Sequence, residues 1–280
     1  MIELCDEGGM GLIRIGMRVE LDFVPEAAGI GFDYLELPLA RIAALSGSEF
    51  GELAGYMDAL RVPVRAMYAM LPDELRVTGP DVQARLQHAY LEEAFARARR
   101  LGAQTVAFDA AASRRVPGGF DFALARRQAG NFLRIVQGHA AGFGLKVAIQ
   151  NIRHAECNLI NTVSEAALMA ALLQLGNVGV LADTVQMAYA SEPMDAILRC
   201  GSSLVHLHTG CALTRGLPRA GDGEDYPRLF RILARMGYDG GVSAVTSAEC
   251  TPEGARAALE CLRAARDESL VGCGSISLKS

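Results

Sequence analysis

The chain has 280 residues, 51% of them hydrophobic and 21% charged, with a formal net charge of −5. That composition supplies a core for one large α/β domain, excludes a disordered chain and, with no long Lys/Arg block, argues against a nucleic-acid partner. No apolar run reaches the ~18 residues a membrane span needs.

Short apolar runs alternate with longer helical patterns from one end of the chain to the other. Strands are predicted at Leu12–Gly16, Tyr34–Leu37, Val64–Tyr68, Thr105–Phe108, Val147–Gln150, Gly179–Leu181, Leu204–His208 and Gly241–Ala244. Helical patterns lie between them near Pro25–Ala28, Arg41–Ala59, Val82–Leu101, Ala123–Phe143, Ser164–Leu175, Met194–Cys200, Tyr226–Met236 and Pro252–Asp267. Gly102, Gly144 and Gly237 each follow a helical run and precede a strand, as helix C-caps do. Repeated strand–helix alternation argues for a parallel sheet with helices outside it, and eight units close a (β/α)8 barrel. No G-x-G-x-x-G follows the first strand, so no nucleotide cofactor is expected. The barrel is expected to span residues 1–271 as a single domain, with a flexible tail over 272–280.

The basic doublets Arg99-Arg100, Arg114-Arg115 and Arg126-Arg127 read for the most part as solvated helix faces. Seven Cys stand singly, with no C-x-x-C pair, and Met1–Glu7 has neither the basic nor the apolar region of a signal peptide. Reduced thiols and a cytoplasmic location are the expectation.

Three strands in the second half end in polar clusters: Gln150-Asn151, Asp183-Thr184 and His206-Leu-His208-Thr209. In a parallel barrel such ends converge on the face that carries function. A buried strand-end carboxylate such as Asp183 must be paired, hydrogen-bonded or metal-bound; the functional reading leads, and a cap for the next helix is the alternative. Of the two histidines, the reading places only His208 toward the barrel centre, nearer the strand end, with His206 a satisfied core histidine. Glu36 and Asp109 end strands two and four and could supply carboxylates to the same mouth or serve as structural hydrogen-bond acceptors. Glu156 lies on the loop after Gln150, and Arg215 lies in a Gly/Pro loop beyond His208, where it could clamp an anionic or polyol substrate. The long loops Ala110–Asp121 and Thr209–Asp225 both follow strands and so share that face.

Taken in order, Gly31–Leu37, Ser113–Asp121, Ala155–Thr162, Leu181–Met187, Val205–Thr209 and Gly237–Ser243 resemble the sugar-phosphate isomerase/epimerase group of xylose-isomerase-like TIM barrels, which includes D-tagatose 3-epimerase. The resemblance implies a divalent metal (Mn²⁺ or Mg²⁺) held by Glu, Asp, His and Glu, with the two glutamates moving protons through an enediol. The matching positions are Gln150, Asp183, His208 and Val245, so only the Asp and the His carry over. Gln186 stands where the family often has a sugar-contacting His; Glu156 and Arg215 resemble substrate-contacting positions. A hard cation prefers anionic oxygen, so Asp183 and His208 with Gln150 form a weak, incomplete metal site. Neither an amide nor an alkyl group can act as a general base near neutral pH.

Two readings follow. In one, His208, Asp183 and Glu156 carry out proton transfer on a small polyhydroxylated or carbonyl substrate, with Gln150, Gln186, Arg215, Glu36 and Asp109 binding it. Isomerisation or epimerisation is the first expectation, a lyase or dehydratase step the next. In the other, the chain is a non-catalytic sugar-binding or regulatory descendant. A small-molecule partner is expected in both, and the resemblance implies a homo-oligomer.

Overall fold

All eight predicted runs form strands in the computed structural model of the protein, which describes residues 12–273. The strands are β1 (Arg14–Arg18), β2 (Tyr34–Pro38), β3 (Val64–Tyr68), β4 (Thr105–Phe108), β5 (Lys146–Gln150), β6 (Val178–Asp183), β7 (Leu204–Thr209) and β8 (Gly241–Ala244). Each pairs in parallel with the next, and β8 closes on β1 with Arg14 opposite Gly241. Parallel strands covered on both faces read as near-continuous apolar runs, and all five residues of β2 are buried.

The helices are α1 (Val24–Ala28), α2 (Leu39–Ala43), α3 (Gly47–Ala59), α4 (Ala84–Arg100), α5 (Ala111–Arg114), α6 (Phe122–Gly142), α7 (Val163–Leu173), α8 (Thr184–Tyr189), α9 (Tyr226–Arg235) and α10 (Pro252–Cys273). Three departures from expectation have local causes. The pattern over 41–59 splits, because Ser46 and Glu49 form a capping box that starts α3 afresh (Ser46 N–H to Glu49 Oε2, 2.7 Å). Met194–Ser203 is a 3-10 segment kinked at Gly201. The loop after β4 contains the single turn α5. The tail expected from 272 lies outside the described residues, except that α10 runs on to Cys273. Cys157, Cys200, Cys211, Cys250 and Cys261 are free thiols.

Strand parity divides the side chains into two sets. Leu35 and Leu37, Val147 and Ile149, Val180 and Ala182, and Val242 and Ala244 belong to the main core between barrel and helices. The alternate residues point into the barrel: Ala107, Ala148 and Leu181 form a small separate apolar cluster, and the other inward positions are mostly polar. Two glycines make room inside. A Cβ on Gly16 would lie 2.2 Å from the Tyr34 ring, and one on Gly241 2.5 Å from its hydroxyl, so Tyr34 spans the barrel floor only because both lack side chains.

Candidate functional site

The carboxyl ends of the strands surround a cavity of about 170 Å³. Asp183 closes β6 and is almost fully buried. Its Oδ1 accepts the backbone N–H of Gln186 (3.0 Å), capping α8, and its Oδ2 accepts the Gln150 amide Nε2–H (2.8 Å). Capping and facing the cavity are therefore both roles of this one carboxylate. Asn151 fixes the same strand end, its Oδ1 accepting the Asp183 N–H at 2.9 Å.

Beneath Asp183 lies a charged network that the sequence did not reveal. Residues two apart on a strand share a face, so His206 and His208 both point into the barrel. This corrects the expectation that only His208 would. Both converge on Glu36: His206 Nε2 is 3.0 Å from Oε2, and His208 Nε2 is 2.9 and 3.0 Å from Oε1 and Oε2. The acceptor-only carboxylate places a proton on each Nε2. The His206 Nε2–H is shared with Ser243 Oγ (3.1 Å), which lies 3.0 Å from the Tyr34 hydroxyl. Glu36 and His208 have no exposed surface.

Burial alone would push the Glu36 carboxyl up; His208 and His206 outweigh it and hold the group well below the usual carboxylate range. Burial likewise disfavours a charged His208, but Glu36 and then Asp183 raise it to about 9. His208 Nδ1 points toward Asp183, 3.8 Å from Oδ2, too far for a hydrogen bond. This Nδ1 and the Gln150 Oε1 are buried polar atoms without a hydrogen-bond partner.

Six of the eight sequence-predicted site residues line the cavity: Asp183, Gln150, Glu156, Gln186, Arg215 and Asp109. Glu36 and His208 do not; they sit below it. Asp109 follows β4 and accepts backbone N–H groups from Ala69 (2.8 Å) and Met70 (3.1 Å). Its burial outweighs those bonds and raises its pKa above the ordinary value. Glu156 accepts from Arg153 Nε (2.8 Å), and Arg215 lies 3.9 Å from the same oxygen. Gln186 Oε1 accepts the Arg153 N–H at 2.8 Å. Val245, buried and apolar, completes the wall after β8.

Two arginines were missed or misread. Arg18 ends β1 and lines the cavity, its Nη2 donating to the Thr246 carbonyl (3.0 Å) and its guanidinium lying over Tyr68. The signal was parity: Arg18 follows the inward-facing Gly16 by two residues. Arg114, expected on a solvated face, is fully buried. It donates to the carbonyls of Phe108 (2.9 Å) and Gln150 (2.6 Å) and thereby ties the ends of β4 and β5 together.

Comparison with known proteins agrees with this architecture. The family model described as xylose isomerase-like TIM barrel matches residues 24–265. A ketose 3-epimerase of Arthrobacter globiformis is 31% identical over 108 residues, which cover 38% of this chain and only 37% of that protein's length. The structure of D-psicose 3-epimerase with D-tagatose from Clostridium cellulolyticum H10 superposes with a TM-score of 0.79 at 20% identity, covering 91% of this chain and 99% of that one. An L-ribulose 3-epimerase structure gives 0.80 at 19% identity, covering 95% and 99%. A 3-keto-D-glucoside 4-epimerase from E. coli gives 0.76 at 19% identity, covering 90% and 99%. At these identities the structural matches establish a shared fold; the family match, extending over most of the sequence, establishes that this chain belongs to the xylose isomerase-like TIM barrel family.

Proposed function

We propose that the chain is a sugar isomerase or epimerase-like protein that binds a small polyhydroxylated carbonyl compound in the mouth of its barrel and moves a proton next to the carbonyl. The observation that carries this reading is the cavity itself. Its roughly 170 Å³ space is lined by three carboxylates (Asp109, Glu156, Asp183), two arginines (Arg18, Arg215) and two amides (Gln150, Gln186). Ala111, Ile152, Val185 and Val245 supply the apolar part of the wall, and convergent donors and acceptors of this kind suit hydroxyl groups.

Gln150 and Val245 stand where the resembled family carries proton-transferring glutamates, so the acids must come from elsewhere. Epimerisation removes a proton from one side of a carbon and returns one to the other, which calls for two groups on different walls. Asp183 and Asp109, at the ends of β6 and β4, are our assignment. Asp183 accepts the proton; Asp109, with its raised pKa, is suited to hold and deliver one. Glu156 and Arg215, joined at the rim, orient hydroxyl groups. His208 does not line the cavity and acts as a positioning residue. Its positive charge behind Asp183 offsets negative charge that develops on the substrate oxygen.

The divalent metal that the resemblance implies needs donor atoms with free lone pairs. The Asp183 carboxylate and Gln150 Oε1 fit, and His208 Nδ1 becomes a third donor only when it gives up its proton. Val245 offers none. The set carries a single negative charge, so Mn²⁺ or Mg²⁺ would bind weakly. When bound, such an ion would polarise a substrate carbonyl or hydroxyl oxygen.

A second reading, a non-catalytic sugar-binding protein, is favoured by one detail: both Asp183 oxygens already accept hydrogen bonds, from Gln150 and Gln186. Incubation with ketopentoses, ketohexoses and 3-keto-glycosides in D₂O separates the two readings. NMR is expected to show deuterium entering beside the carbonyl, at a rate reduced about 10²–10⁴-fold by Asp183→Asn. Calorimetric binding without exchange selects the second reading, and neither binding nor exchange with any of these sugars sinks both.

A further inference from the structure

The opposite, N-terminal end of the barrel holds a larger cavity of about 980 Å³. Arg14 and Lys146 reach it from the first residues of β1 and β5, Arg65 from the second residue of β3, and Arg99 from the last turn of α4. Arg14 and Lys146 share the inward parity of Gly16 and Ala148; Arg65 alternates with the inward Ala66 and reaches the rim from beside them. Tyr34 and His206 also line the cavity, so its floor is the lower end of the polar network that reaches Glu36.

The charges in this cavity are not balanced from within. Among the described residues none of the four cations makes an ion pair. Arg14 reaches only the Asp239 carbonyl (3.4 Å), and Arg65 Nη1 donates to the Gln104 side chain (3.1 Å). Arg65 Nε is buried and has no partner. Asp33 and Asp239 also line the space, but Asp33 is engaged by the Ile15 N–H (2.7 Å) and by Arg263 at 3.6 Å. Four cations against two carboxylates leave a positive excess around one concavity, although the chain as a whole carries −5.

We propose that this cavity is a binding site for a small multiply charged oxyanion of the phosphate type, separate from the mouth. Arginine forks grip phosphate oxygens in pairs, while Lys146 supplies a compact point charge. The cations are spread over the N-terminal ends of three strands and the last turn of α4, which suits a ligand carrying two or more such groups. This assignment does not depend on the reaction proposed for the mouth.

Pyrophosphate is the probe. Titrated into the full chain at constant ionic strength, it is expected to bind saturably by calorimetry and to raise the Tm. The Arg65→Gln/Lys146→Gln double variant should bind it at least tenfold more weakly. Without ligand that variant should melt no lower than the parent, because repulsion has been relieved. Should the double variant fail to fold, Lys146→Gln alone, an exposed rim position, should weaken binding about threefold. Arg18→Gln and Arg215→Gln in the mouth should leave the affinity unchanged. Four results would overturn the proposal: no saturable binding, equal affinity in the Arg65/Lys146 variants, loss of affinity in the mouth variants, or a Tm rise that sodium chloride reproduces.

Discussion

A carboxylate with no exposed surface, held between two imidazoles, makes the charge state of the barrel interior depend on pH. In metal-free protein, kept so with EDTA, the two partners act in opposite directions. The folded pKa of Glu36 lies well below its ordinary 4.5, so its contribution is present above about pH 4.5 and is lost as pH falls further. His208 is raised from 6.5 to about 9, so its contribution is complete below pH 6.5 and disappears as pH climbs through 9. The network therefore stabilises most between about pH 4.5 and 6.5. The alkaline loss should be of order 3 kcal/mol. Urea unfolding at pH 6 and pH 9 measures it. Glu36→Gln removes the charge that holds His208 protonated, so it should cost about 3 kcal/mol at pH 6 and flatten the alkaline slope. A variant that keeps the parent's slope would place the titration on another group.

At the scale of elements, the strand ends of the mouth are set by side chains that reach carbonyl groups. Arg114, on the single turn α5, satisfies the Phe108 and Gln150 carbonyls and lies near that of Ile160 (3.5 Å). Arg114→Met keeps much of the volume but leaves those buried acceptors unpaired, at about 1–3 kcal/mol each. We expect a loss of about 3–5 kcal/mol in urea unfolding and weaker sugar binding in the mouth, since Gln150 loses its backbone anchor. Loss of stability with unchanged sugar affinity would show that β5 holds its end without help. The same residues show what the sequence could and could not reveal. Asp183 and Gln150 were legible because a polar side chain closing an apolar strand must meet other strand ends. Glu36, His206 and His208 were individually visible, but their contact joins residues about 170 positions apart across the barrel, and no local pattern encodes it. The spacing of His206 and His208, two apart on one strand, itself turns both inward. Arg114 sat in a doublet that looked like surface, because burial of an arginine depends on carbonyls from three separate segments.

At the scale of the whole molecule, closure matters most. Eight strands paired in a ring fix where each end stands, so the ends of β5 and β8, three strands apart, reach the same mouth although they share no ladder. Gln150 and Val245 both line that space with Asp183. Replacing both by glutamate would return two carboxylates to a frame that already presents Asp183 and His208. A hard divalent ion gains most from anionic oxygen, so Gln150→Glu/Val245→Glu should bind Mn²⁺ at least 100-fold more tightly than the parent, read by electron paramagnetic resonance or calorimetry. Without metal the same change raises the carboxylates lining one small cavity from three to five. It should therefore lower stability by about 1–3 kcal/mol, restored when Mn²⁺ is added. Neither single variant should reach the affinity of the pair, because each leaves one wall without its donor. A double variant that folds, loses stability and still gains no Mn²⁺ affinity would mean that the ends of β5 and β8 do not present these positions to a common point.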